Sequence, residues 1–474
     1  MELHVSLTGR RDLSGEIYRQ VREAILEGRL RGGDVLPPTR ELAARLSVAR
    51  TTVNVAYDRL IGEGFATGKL GSGTYVTPHV SRISQHRIPP AALLQPRSVW
   101  EHVPLPIGLW RPAKFDFRAG RPDERLFPHE TWRRLLAREF RSLVRYGACD
   151  HPAGHRGLRE AIAHHIATSR GLRVDAEDVI ITSGAQQAID LIARVLAAPG
   201  DRVAVEDPGY GPPRRLLAAL GLQVCGSPVD EEGLVVDAID PETRLVYVSP
   251  SHQFPLGMSM SLQRRLALLE WARRTGAAII EDDYDSEFRF GGRPIEPLHV
   301  LDTHGRVIYV GTFSKTMLPT LRLGFVVAPP SLRVALTSAK FLADWCSPFA
   351  TQAALARFIE DGLFARHIRR MRTMYETRHR LIVDVLARTF ADELHVVPSS
   401  VGLHVAALAR NASVERIEAA VRRASAAGME CTPLSMYAVS ERRMAGLVLG
   451  YGAIASERIE EGLALLRGVF EVGN

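Results

Sequence analysis

Lysine is nearly missing from this chain: of 60 basic residues only Lys69, Lys114, Lys315 and Lys340 are lysines, and the other 56 are arginines. A guanidinium cannot become a free nucleophile whereas an ε-amine can, so a position that keeps its amine is a candidate for amine chemistry. Paired cysteines are missing too. Cys149, Cys225, Cys346 and Cys431 lie far apart with no CxxC spacing, which suggests neither a disulfide framework nor a zinc site and leaves them as buried small hydrophobes. The 16 histidines show no HExxH or other metal spacing, so no metal is expected. No apolar run approaches the length of a bilayer span, and residues 1–11 lack the apolar stretch of a signal peptide, so a cytoplasmic protein with no membrane partner is expected. What is present is ordinary for a globular protein: 46% hydrophobic and 24% charged residues over 474 positions, a length that favours two or three domains. The formal charge of +7 is compatible with a polyanionic partner and is weak support for one when spread over this length.

The centre of the sequence is the stretch from Val307 to Val327. Two β-branched and aromatic runs, Val307–Val310 and Phe325–Val327, read as buried strands, and between them Lys315 sits in a small-residue loop. Thirty-three residues earlier the apolar run Ala277–Ile280 ends in Glu281, Asp282, Asp283, Tyr284 and Asp285. In open α/β sheets, sites form at the carboxyl ends of strands, where Asp282 and Lys315 would both fall. A carboxylate facing a lysine Schiff base is what a pyridine cofactor needs, because the acid keeps the ring nitrogen protonated and electron-accepting.

The first 77 residues read as helix, helix, turn, helix and hairpin. Ile17, Val21, Ile25 and Leu26 recur at helical spacing over Leu13–Leu30, with Ser14 as N-cap and Gly28 near the stop; a short helix covers Arg40–Leu46 and a third Arg50–Glu63. Two short strands around a glycine-rich tip follow, completing a winged helix-turn-helix. The exposed start of the third helix carries Arg50, Thr51, Thr52 and Asn54, the end that a recognition helix places in the major groove of double-stranded DNA. The wing supplies Lys69 and glycines that allow close approach. With 11 basic and 9 acidic residues over 1–77, one head binds weakly, and a dimer is expected for tight operator binding. Residues 78–113 hold six prolines past Pro78 and a basic excess, the composition of a linker. From Val179 onward strands and helices alternate, which argues for a mostly parallel sheet covered by helices, an α/β domain.

The pieces Ser183–Gln186, Asp207–Tyr210, Ser249–Gly257, Glu281–Tyr284 and Thr312–Lys315 resemble, in that order, the fold-type I aminotransferases that use pyridoxal 5'-phosphate (PLP). Together with the N-terminus, the whole chain resembles the MocR/GabR subfamily of GntR-type transcription regulators. The resemblance implies domains at 1–77 (winged helix), 78–113 (linker) and 114–474 (aminotransferase-like, with a small C-terminal subdomain from about 345). It implies DNA contacts at Arg40, Arg50, Thr51, Thr52 and Gly71, with Asn54 standing where arginine is common in the family. It also implies a cofactor site: a phosphate cradle from Ser183, Gly184, Ala185 and Gln186 with Thr312, Ser314 and Arg322; Tyr210 stacked on the pyridine; Asp282 on the ring nitrogen; Tyr284 on the phenolic oxygen; and the cofactor on Lys315. Where enzymes of this fold carry Asn-Pro-x-Gly, Gln253-Phe254-Pro255-Leu256-Gly257 stands here, making His252 or Gln253 a substitute. Pro212 occupies the position of an arginine that binds the effector carboxylate in the GABA-sensing relative, and Arg442 and Arg443 are further candidates for that contact. The expected function is a DNA-binding regulator, a head-to-tail homodimer sensing an amino-compound effector or PLP itself. The alternatives are a working aminotransferase with a DNA-binding head, and a domain that has lost its cofactor.

Overall fold

The computed structural model describes residues 5–7, 12–69, 72–78, 95–101, 103, 112–146, 151–291, 296–441 and 443–471. It divides into two compact units, residues 1–97 and 98–474. In the first, α1 (Leu13–Leu26), α2 (Thr39–Leu46) and α3 (Arg50–Gly62) precede a hairpin of β1 (Ala66–Lys69) and β2 (Gly73–Val76). Ile17, Val21, Ile25, Leu42, Val53, Tyr57, Leu60 and Val76 bury themselves in one core, as the helical periodicity requires. The first helix starts one residue before the expected cap. Asp12 Oδ1 accepts from the Gly15 amide at 3.2 Å, so the carboxylate outside the first turn does what was expected of Ser14, which is already helical. The helix stops at Leu26 and not Leu30 because Gly28 turns the chain at φ 77°.

The second unit contains β3 (Phe115–Asp116), α4 (His129–Tyr146), α5 (Arg156–Arg170), β4 (Val179–Thr182), α6 (Ala185–Leu196), β5 (Arg202–Asp207), α7 (Gly211–Ala219), β6 (Gln223–Asp230), β7 (Gly233–Leu234), β8 (Thr243–Val248), α8 (Leu262–Thr275), β9 (Ala278–Asp283), α9 (Leu298–Leu301), β10 (Val307–Thr312) and β11 (Gly324–Val327). It continues with α10 (Arg333–Asp344), α11 (Phe349–Glu360), α12 (Leu363–Thr389), β12 (Leu394–Val396), β13 (His404–Ala409), α13 (Val414–Ala426), β14 (Met429–Glu430), β15 (Thr432–Pro433), β16 (Gly446–Gly450) and α14 (Ile459–Glu471). Eight strands form one sheet in the order β4-β11-β10-β9-β8-β5-β6-β7. The five from β10 to β6 are mutually parallel, so their carboxyl ends share one edge. In β5, β8, β9 and β10 apolar side chains fill both faces, as a sheet covered by helices on both sides demands. Strand β11 returns antiparallel between β10 and β4, which closes the loop that carries Lys315.

A second sheet, β12-β13-β16-β15, packs with α12, α13 and α14. The expected N-terminal arm joins this layer: Phe115 pairs with Met429 and lies with Phe117 in its core. Asp123 fastens the arm further. Its Oδ2 accepts from Arg378 at 2.7 Å and its amide donates to the Tyr375 hydroxyl at 2.9 Å. Helix α11 packs instead with α5 and β4 through Ala354, Leu355 and Phe358. The cysteines depart from expectation in part: Cys431 is buried and Cys225 half-buried, both free, while Cys346 is disulfide-bonded. Among the described residues no helix is long and apolar enough to cross a membrane.

Candidate functional site

The carboxyl ends of β5, β8, β9 and β10 border a cavity of about 420 Å³. Lys315 enters it from the loop after β10, and its Nζ donates to the Gly120 carbonyl oxygen at 2.7 Å. Burial lowers the lysine below its ordinary range, while Asp285 and Asp282 oppose that shift. A lysine so placed holds its proton loosely, the property an amine nucleophile needs. Gly120 at φ 74° allows this approach, since a Cβ there would lie 2.9 Å from Nζ.

Asp282, the penultimate residue of β9, is buried at 4% exposure and lines the same cavity. Tyr247 donates to its Oδ2 at 2.6 Å, while Oδ1 has no partner. Burial pushes its carboxyl up to about 6. A buried carboxylate oxygen without a donor is costly unless a cation meets it. The protonated ring nitrogen of a pyridine is such a cation, so the residues present fit PLP. Arg322 lies across the cavity with φ 51°, and its Nη2 donates to the Ser183 carbonyl oxygen at 2.6 Å. Gly184, at φ 85° just ahead of α6, makes room for that guanidinium, 2.9 Å from where a Cβ would stand. The free amides at the start of α6, Arg322 and the hydroxyls of Thr312 and Ser314, 3.0 Å apart, together suit a phosphate.

Because the folded pKa of Asp282 lies above its ordinary value of 3.8, the cofactor-free folded state keeps a proton that the unfolded chain sheds. The resulting stabilisation is present below about pH 4 and is lost as pH rises through about 6. Urea unfolding of cofactor-free protein should therefore show Asp282→Asn gaining on wild type between these pH values, by about 3 kcal/mol. A pH-independent difference would contradict the assignment.

Ala185, Gln186, Tyr210, Asp282, Tyr284, Thr312, Ser314, Lys315 and Arg322 line the cavity, whereas Ser183 and Gly184 stand behind Arg322. The four carboxylates of the acidic run are all buried, each for its own reason. Glu281 accepts the Leu298 and His299 amides at 2.8 and 2.9 Å. Asp283 takes Arg170 and Tyr309, each at 2.7 Å, and Asp285 lies 2.9 Å from His252 Nδ1. Only Asp282 of the four borders the cavity.

Neither expected substitute for the asparagine borders it. Gln253 spends its amide on the Pro208 and Phe254 carbonyls and the Leu256 amide. His252 is buried between Asp285 and Tyr284. Arg443 also fails as an effector contact, because Glu418 holds it at 3.1 Å outside the cavity. Arg442 lies outside the described residues. Gly120, Tyr247, Ser249, Phe254 and His404 line the cavity without having been singled out for it. Ser249 and Phe254 fall within the piece Ser249–Gly257 that resembles the aminotransferases, whereas nothing local assigns Gly120, Tyr247 or His404 to the cavity.

In the head, Arg40, Arg50, Thr51 and Lys69 are exposed and Thr52 and Asn54 half-exposed, while Gly71 lies outside the described residues, as does most of the linker. Arg50 opens α3, with its Nε 3.4 Å from Thr39 Oγ1. Replacing Arg50 with alanine should weaken DNA binding by about 1–3 kcal/mol and leave the cofactor absorbance unchanged. Unaltered affinity in a gel-shift titration would refute the placement of α3 in the groove.

A winged-helix head joined to a fold-type I aminotransferase-like PLP domain defines a class of DNA-binding regulator. Comparison with known proteins agrees: the family described as "Aminotransferase class I and II" matches residues 114–438, and "Bacterial regulatory proteins, gntR family" matches residues 13–76. The probable rhizopine catabolism regulatory protein MocR of Rhizobium meliloti is 36% identical over 96% of this chain and 93% of its own. The pyridoxine biosynthesis transcriptional regulator PdxR of Corynebacterium glutamicum is 33% identical over 97% and 96%. The kynurenine aminotransferase of Pyrococcus horikoshii superposes with a TM-score of 0.71 at 26% identity, covering 81% of this chain and 96% of that one. The chain belongs to the MocR/GabR subfamily of GntR-type transcription regulators. It is a transcription regulator whose second domain takes PLP as cofactor.

Proposed function

We propose that PLP is carried on Lys315 and that an amino compound entering the cavity alters how a homodimer holds its two heads on an operator. The observation that carries this reading is the bare Asp282 Oδ1 in the same cavity as the Lys315 amine. Bound there, PLP supplies an aldehyde carbon that reacts reversibly with primary amines. The protein's own residues do the rest. Asp282 holds a proton on the ring nitrogen, Arg322 with the α6 amides and the Thr312 and Ser314 hydroxyls fixes the phosphate, and Tyr210 covers a ring face from beside Phe254, 5.5 Å away. Tyr284, 3.0 Å from His252 Nδ1, presents its phenol to the ring oxygen. Lys315 would hold the aldehyde carbon, and its amine when not so engaged donates to the Gly120 carbonyl oxygen.

The dimer is supported by the weak charge of a single head, net +2 over residues 1–77, since two linked heads make the second contact intramolecular. A head-to-tail exchange of domains between the two chains is the arrangement we favour. Coupling requires that the ligand bind one DNA-holding state more tightly than the other. The test is a screen of amines on purified protein: a true effector changes cofactor absorbance and operator affinity over the same concentration range. Steady keto-acid formation with no change in operator affinity would favour an aminotransferase instead.

A further inference from the structure

The cavity is poor in positive charge. Among the described residues that line it, the cations are Lys315 and Arg322, and on the reading above both serve the cofactor. Arg118 and Arg121 flank the Ala119–Gly120 wall, but both bond Asp116 Oδ2 at 2.6 Å and neither lines the cavity. Of the neutral donors, Tyr247 gives its proton to Asp282 at 2.6 Å, Ser249 to Glu206 at 2.6 Å, Thr312 to Ser314 at 3.0 Å and the Gln186 amide to the Pro212 carbonyl at 3.2 Å, while the hydroxyls of Tyr210, Ser314 and Thr320 also border the space. His404 completes the wall, held well below its ordinary pKa by burial. Its Nε2 lies 3.0 Å from the Pro255 carbonyl oxygen. A carbonyl only accepts, so the single proton of this neutral ring is on Nε2 and Nδ1 carries a lone pair.

We infer that the ligand recognised here is a primary amine with no carboxylate, whose far end is neutral and bears hydrogen-bond donors, as in an amino alcohol. Among the described residues that line this space a carboxylate finds no uncommitted cation and stands beside the neutral His404 ring, and burying an unpaired charge is heavily penalised. A hydroxyl can donate to Nδ1 of that ring. This inference rests on PLP being carried at Lys315.

The test uses matched ligands on purified holoprotein, 3-amino-1-propanol against β-alanine and 2-aminoethanol against glycine, each pair differing in hydroxymethyl for carboxylate. Absorbance titration and thermal melting are the two readouts. In both pairs the amino alcohol should half-saturate at a concentration about ten-fold lower or better, with the larger rise in melting temperature. Equal or tighter binding by the amino acid, in a protein that shows cofactor absorbance, overturns the inference and leaves the Lys315 reading standing. A colourless protein in which borohydride marks no lysine overturns the Lys315 reading, and the inference with it.

Discussion

Replacing Lys315 with alanine is expected to abolish covalent retention of PLP and every amine-dependent change in DNA binding, while operator affinity without ligand stays within about two-fold of wild type. The two halves of that outcome come from separate parts of the chain. The head has its own core around Ile17, Val53 and Leu60, and none of the cavity residues belongs to it. Truncating Lys315 removes a half-buried amine bonded to one carbonyl, that of Gly120, a change that leaves the sheet intact. Cofactor should wash out during gel filtration of the variant, because the phosphate cradle, Asp282 and the ring contacts then hold it without a covalent bond. A variant that keeps its absorbance band and still responds to an amine would show that another group carries the cofactor.

Asp282→Asn is expected to weaken PLP binding by about 3 kcal/mol, somewhat over a hundred-fold, and also to stabilise the cofactor-free protein above pH 6. The two effects have one cause. Without cofactor, the buried carboxylate is a liability whose Oδ1 has no partner. With a ring cation against it, the same charge becomes a compensated pair, and asparagine cannot hold the ring proton. Equilibrium binding measured by fluorescence quenching, beside urea unfolding of the cofactor-free forms, separates the two. An Asn variant that binds PLP as tightly as wild type would move the ring-nitrogen contact to another residue.

Much of this was legible from the residues. The strands Val179–Thr182 and Val307–Thr312 and the helix Ala185–Leu196 announce themselves through apolar runs bounded by Gly184 and by the small residues around Lys315. The scarcity of lysine pointed to Lys315 before any geometry was known. Other features were hidden because they depend on distant parts of the chain. Tyr247 reads as a core tyrosine until β8 lies beside β9 and brings its hydroxyl to Asp282. His404 reaches the cavity from the second sheet, 89 residues after Lys315, and nothing local marks it. Gln253 misled for the opposite reason: it is an amide at a plausible position, and only the fold reveals that its amide is consumed by the loop around Pro208 and Leu256. Arg322, two residues before β11, adopts a left-handed turn that brings its guanidinium beside Gly184, a conformation the sequence does not announce.

The most direct test of the central claim is borohydride reduction of the purified protein followed by trypsin and mass spectrometry. Trypsin does not cut after a modified lysine, so an uncut peptide from Val307 to Arg322 carrying the mass of the reduced cofactor on Lys315 is expected. Cleavage after Lys315 with no added mass, or the cofactor found on Lys69, Lys114 or Lys340, would contradict it.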